Sequence, residues 1–124
     1  MRVPIHEDTI AAIATGTGGA IAILRLSGAA ALTIARQVWQ GRPGLGRRQA
    51  RRLLFGHLRD DQGRTLDQAL AAYMPGPRSY TGEDVVELQV HGGPVLAREA
   101  LALVIRHGAR HAEPGEFTRR AFIN

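Results

Sequence analysis

The run Pro75–Gly93, PGPRSYTGEDVVELQVHGG, carries three local instructions in succession. Pro75 to Asp84 is rich in Pro, Gly, Ser and Thr, which specifies a shaped loop. Val85 to His91 then alternates, with Val86, Leu88 and Val90 on one side and Glu87, Gln89 and His91 on the other, the period of a strand. A strand whose second side holds an acid, an amide and an imidazole is either an exposed edge or the wall of a polar site. Gly92 and Gly93 let the backbone turn sharply, and Pro94 suits the first turn of a helix. That helix has Leu96, Ala100, Leu103, Val104 and His107 on its apolar stripe and Gly108 as its stop. The glycines also permit a ligand to approach the backbone near a helix N-terminus, where anions are favoured.

Upstream, Thr9–Thr15 and Ala20–Leu26 read as strands joined by the Gly16–Gly19 turn. A dinucleotide fingerprint fails there, because Ile21 stands where the third glycine belongs and no helix follows. Ile21, Ile23 and Arg25 share one side of the second strand. Arg25 there either meets a carboxylate, phosphate or carbonyl in a buried setting, or reaches out to water along its stem. Ser27 is placed to cap the next helix, whose apolar face is Ala31, Ile34, Ala35 and Val38, with Trp39 packed at its end and Gly41 as its stop. Gly41–Gly46 is loop. Leu53–Leu58 and Ala69–Met74 complete the expected strands around an Asp60–Gly63 turn. Leu24–Gly28 (LRLSG) and Leu88–Gly92 (LQVHG) echo one another at an offset of 64 residues, as strand ends entering a small-residue turn and a helix. The tail, Glu113–Asn124, opens as a turn and becomes helix-like. It stops on the apolar pair Phe122–Ile123, so the chain is expected to be a fragment of a longer protein.

Composition excludes several chemistries. At 124 residues the chain is expected to form one domain over residues 1–124, long enough to bury about two-thirds of its extended surface. It has no cysteine, so thiolate metal sites and cysteine nucleophiles are out. All sixteen basic residues are arginine, which removes Schiff-base chemistry and any Walker A loop. No run approaches the ~18 apolar residues of a membrane span, and a cytoplasmic location without membrane contact is expected. His6–Glu7 lacks the second histidine of a zinc-protease motif, Gly108 separates His107 from His111, and His57 reads as a core or edge histidine, so no metal site is expected. The net charge of +5 admits an anionic partner. Arg47, Arg48, Arg51 and Arg52 (RRQARR) are either a phosphate contact or, the reading favoured by pattern, a solvated loop face, and no aromatic is interleaved for base stacking.

Four ordered motifs carry a resemblance: DTIAAIAT (Asp8–Thr15), AIAILRLSG (Ala20–Gly28), PGPRSYTGEDVVELQVHGG and EPGEFTRRAFIN (Glu113–Asn124). Together they resemble the N-terminal domain of the MnmE (TrmE) family of tRNA modification GTPases over nearly the whole chain. The resemblance implies an α+β fold: a mixed, mainly antiparallel sheet with two to three helices, like the folate-binding domain of glycine-cleavage T proteins. It also implies homodimerisation and binding of a tetrahydrofolate derivative, 5-formyl- or 5,10-methylene-tetrahydrofolate, at the dimer interface. With the partner MnmG, the family's full-length protein uses folate as one-carbon donor to modify C5 of the wobble uridine of tRNA. GTP, magnesium and potassium belong to a GTPase domain outside this chain, which is itself expected to be non-catalytic. The family's folate-binding arginine falls on Arg25 and its folate-binding glutamate on Glu87, while a further lysine would follow Asn124. A carboxylate at Glu87 accepts from the N–H edge of a reduced pterin, and Arg25 supplies charge-assisted donors to an oxygen. On this basis Glu83 and Asp84 read as turn residues. The competing expectation is a basic RNA-docking module built on Arg47–Arg52.

Overall fold

Alternating sequence becomes a sheet with one covered face. A computed structural model describes residues 8–15, 19–91 and 93–124; His6, Glu7, residues 16–18 of the expected Gly16–Gly19 turn and Gly92 lie outside the described residues. The elements are β1 (Ile10–Ile13), β2 (Ala22–Ser27), α1 (Ala31–Val38), β3 (Trp39–Gly41), β4 (Leu54–Arg59), β5 (Thr65–Met74), β6 (Val85–Val90), α2 (Gly93–Arg106), β7 (Arg110–His111) and α3 (Glu116–Ile123). Arg47–Gln49 adds one 3-10 turn before β4. The strands form a single sheet in the order β3-β4-β5-β6-β2-β1-β7, antiparallel throughout except for the parallel β1–β7 pair. The fold is α+β, mixed and mainly antiparallel, with three helices among the described residues.

Leu24, Leu26, Ala71, Tyr73, Val86, Leu88 and Val90 turn to one face of the sheet. There they meet Ile34, Ala35 and Val38 of α1 and Ala97, Ala100, Leu103 and Val104 of α2 in one core. Cutting a buried leucine such as Leu88 to alanine in a core of this kind costs about 2–5 kcal/mol. By the period of two, Arg25, Glu87 and Gln89 point to the opposite face, which α1 and α2 leave open. α3 lies over that face at its β1–β2 end, where Phe117 and the Tyr80 loop reach Arg25.

The internal echo has a geometric counterpart. Leu24 and Leu88, equivalent at the 64-residue offset, are cross-strand partners of each other in the β2–β6 ladder. The antiparallel ladder therefore has a local twofold between these two residues, and each strand leads into a helix, α1 after β2 and α2 after β6.

Three local expectations are corrected. Ser27 does not cap α1: it ends β2, and its hydroxyl sits 2.6 Å from Thr81 Oγ1 and donates to Glu83 Oε1 at 2.7 Å. The residue preceding α1 is Ala30, whose N–H donates to Thr9 Oγ1 at 2.9 Å. Gly28, at φ 141°, makes this approach possible, since a Cβ there would lie 2.6 Å from Thr9 Cα. α1 stops at Val38 rather than Gly41, because Trp39 enters a strand pairing with β4. The indole packs as expected near the helix end, 2% exposed, and its Nε1 donates to the Ala69 carbonyl at 2.9 Å. Its ring lies so close to Gly56 that a Cβ on that residue would come within 2.4 Å of it. Finally, the β4 and β5 strands are displaced or longer than the apolar runs suggest, because the polar stretch Thr65–Gln68 extends the pairing with β4 across a register shift at Leu58 and Arg59.

Candidate functional site

Arg25 and Glu87 are direct cross-strand partners on the open face of the sheet. Glu87 Oε2 lies 2.8 Å from both Nε and Nη2 of Arg25. The two side chains are 25% and 22% exposed, so the pair is half-shielded and still reachable from solvent. Glu87 Oε1 and Arg25 Nη1 take no hydrogen bond among the described residues. The pair keeps one acceptor and one donor in reserve.

Two aromatic rings flank the guanidinium. Tyr80 comes from the loop before β6 and Phe117 from α3, their centroids 5.5 and 5.6 Å from Arg25 Cζ. Cation–π contact at this range favours the charged guanidinium and restrains it against the rings. The Tyr80 hydroxyl lies 3.0 Å from Thr118 Oγ1, which ties the loop to α3 beside the arginine. Arg25, Tyr80, Phe117, Ala12, His111 and Gly115 are among the residues around an open cleft of about 440 Å³. Its size suits a bicyclic heteroaromatic ligand. Arg25 lines the cleft, and Glu87 stands behind it on β6.

What positions these rings is a second, buried ion cluster. Arg120 of α3 is 2% exposed and touches three carboxylates: Asp8 Oδ1 at 2.7 Å, Glu83 Oε1 at 3.1 Å and Glu116 Oε2 at 3.2 Å. It also donates to the Asp8 carbonyl at 3.0 Å. Arg110 of β7 holds Glu116 in a two-point pair, at 2.6 and 3.1 Å. The Arg110 hydrogen bond keeps the Asp8 carboxyl below its usual range against the opposing effect of burial. Burial alone would raise Glu116, but the Arg110 hydrogen bonds and the Glu113 N–H more than offset it and hold it low as well. Desolvation opposes the charge on Arg120, yet its Asp8 and Glu83 contacts raise its pKa. Glu83 is thus more than a turn residue, because it locks the Pro75–Asp84 loop to α3. Asp84 does serve the turn, accepting from the Gly76 N–H at 2.9 Å.

Neither Tyr80 nor Phe117 nor Arg120 stands out in the sequence as a site residue. The signal available for the last was the Glu116–Arg120 spacing of four on a helix. The arginines of RRQARR stay close together around one 3-10 turn but differ in their partners. Arg47 and Arg48 are exposed, Arg51 is committed to the Pro75 and Arg78 carbonyls at 3.1 and 2.8 Å, and Arg52 contacts Gln49. His107 bridges Gln37 and Asp61, His57 is half-buried on β4, and no cluster of three metal-type ligands occurs among the described residues. No helix among them is long and apolar enough to cross a membrane.

The family model for the GTP-binding protein TrmE N-terminus matches residues 9–124. The chain belongs to this family. It is 54% identical over 121 residues to the tRNA modification GTPase MnmE of Symbiobacterium thermophilum, covering 95% of this chain and 26% of that protein. The proteins of the same name from a Synechococcus species and from Streptococcus agalactiae are 54% and 49% identical over 126 residues, covering 98% and 100% of this chain and 27% of each relative. The chain spans about a quarter of the length of the curated relatives it matches. The matched span includes every member of both ion centres except Asp8.

Proposed function

We propose that this chain is the tetrahydrofolate-binding and homodimerisation domain of a cytoplasmic tRNA modification GTPase. In that role it works with MnmG and supplies a folate one-carbon unit for C5 of the wobble uridine. The observation that supports it is the half-shielded Arg25–Glu87 pair, with one donor and one acceptor unspent, between two aromatic faces at the edge of a cleft. A reduced pterin presents a cyclic N–H and an amino group beside a ring carbonyl. Glu87 Oε1 accepts from the first edge, and Arg25 Nη1 donates to an oxygen of the ligand. Tyr80 and Phe117 supply apolar walls. The folate would carry the one-carbon unit; the chain's residues bind and orient it, and no residue is assigned a role in the transfer. GTP hydrolysis, with its magnesium and potassium, belongs to the remaining length of such a protein.

The test is a titration of 5-formyl-tetrahydrofolate into the wild type and Glu87→Ala. Removing a charged hydrogen-bond partner from a half-buried site is expected to weaken binding at least tenfold. Equal affinity in the two proteins overturns the assignment. Sedimentation with and without the folate tests the dimer, and a monomer at all concentrations refutes that part.

A further inference from the structure

The positive charge of this molecule is concentrated in one stretch of its sequence. Seven of the sixteen arginines fall between residues 36 and 59, a span without a single Asp or Glu. The rest of the chain has nine arginines against eleven acids, a net charge of −2. The basic span contains the outer edge of the sheet, β3 and β4, where an open groove of about 530 Å³ runs along the face that α1 and α2 leave bare. Gln40, Arg42, Phe55, His57 and Arg59 line it, and no carboxylate does. Neither Arg42 nor Arg59 has an ion-pair partner among the described residues. Arg59 Nη1 has only the Gly63 carbonyl, at 3.4 Å.

The alternation of β4 places Phe55, His57 and Arg59 on one side. Phe55 is 57% exposed, and His57 meets it edge-on at 5.5 Å and 75°. An exposed aromatic on a sheet face, flanked by unpaired guanidinium groups, is the arrangement that takes unstacked bases and their phosphates. The aromatic that the RRQARR run lacks in sequence is thus brought beside other arginines by strand pairing. Two residues before Phe55, the exposed Leu53 borders a second open groove with Arg51, Met74, Arg78 and Tyr80. Tyr80 is also a wall of the Arg25 cleft.

We propose that the β3–β4 face is a contact site for single-stranded RNA, with Phe55 stacking a base and Arg42 and Arg59 holding phosphates, and that the strand runs from there past Leu53 and Tyr80 towards the Arg25 cleft. A twofold contact with a second copy is disfavoured on this surface, because it would set one basic edge against another. The choice of RNA among polyanions rests on the tRNA-modification reading above.

The test measures anisotropy of a labelled anticodon stem–loop with a wobble uridine, over a salt series, against a fully duplex RNA of equal length. The wild type is expected to bind the stem–loop more tightly than the duplex, with affinity falling as salt rises. Arg42→Gln with Arg59→Gln should flatten the salt slope by about 0.7 for each phosphate that is no longer neutralised. Phe55→Ala should weaken stem–loop binding about tenfold while leaving the slope unchanged. Phe55 is exposed, so an unaltered thermal midpoint is expected to accompany the weaker binding. Absence of binding at low salt, equal affinity for duplex and stem–loop, or an unaffected Phe55→Ala protein overturns the proposal. So does a Phe55→Ala protein that loses self-association and keeps RNA binding. Folate titration of the same variants separates the two readings, since the Arg25 cleft is intact in each of them.

Discussion

Arg120 and Arg25 stand on the same side of one sheet and teach different lessons. Arg120 is sealed, with three carboxylates and a carbonyl around a group that is 2% exposed. Arg25 has one carboxylate and two aromatic faces, and a quarter of its side chain meets solvent. A guanidinium whose donors are filled from within holds the fold together. One whose donors are partly unspent, at the rim of a cleft, is available to a ligand. The first centre positions the second, because Glu83 anchors the loop that carries Tyr80 and Arg120 anchors the helix that carries Phe117.

That division can be broken by substitution. The largest stability effect is expected for Arg120→Met, which takes from Glu83 its ion-pair partner and leaves Asp8 and Glu116 to Arg110 around an emptied buried site. A loss of about 3–5 kcal/mol should appear in urea unfolding, and a loss under about 1 kcal/mol, the range of an exposed pair, would remove the structural role. Acid should act on the same cluster. Asp8 and Glu116 titrate lower in the fold than their ordinary values of 3.8 and 4.5, so the unfolded chain binds more protons in that range. The stability they contribute is full above those ordinary values and lost as pH falls through the lowered ones. Glu116→Gln should flatten this acid limb of a stability–pH curve, and an unchanged limb would place its origin elsewhere. A smaller stability effect is expected for Tyr80→Leu, which gives up one exposed cation–π contact of about 0.5–1 kcal/mol together with the exposed hydroxyl contact to Thr118. The same change should weaken reduced-folate binding measurably. If folate affinity holds while stability drops by more than about 2 kcal/mol, beyond what such an exposed contact supplies, Tyr80 belongs with the scaffold.

Much of the fold was legible because it rests on local pattern. The alternation of Val85–Val90 was legible, and so was the centre of the α2 stripe at Ala100, Leu103 and Val104, although Ala97 takes the buried place expected of Leu96 and His107 lies past the helix end against Gln37 and Asp61. Contacts between residues far apart in sequence were not legible. Ser27 has the chemistry of a helix cap, yet Thr81 and Glu83 compete for its hydroxyl, and nothing local announces them. Trp39 continues the apolar face of α1, but pairing with Leu58 draws it into a strand. Glu83 looked like a turn acid because its partner Arg120 lies at the far end of the chain. At the site, Arg25 and Glu87 came from motif resemblance, whereas their register as cross-strand partners and their aromatic walls came from tertiary structure alone.

The most direct test of the distinction between the two arginines is Arg25→Met, carried through urea unfolding and 5-formyl-tetrahydrofolate titration side by side. Stability should change by no more than about 1 kcal/mol, as for a partly exposed ion pair, while folate affinity falls at least tenfold. Retained folate binding, or a stability loss as large as that of Arg120→Met, would contradict the account.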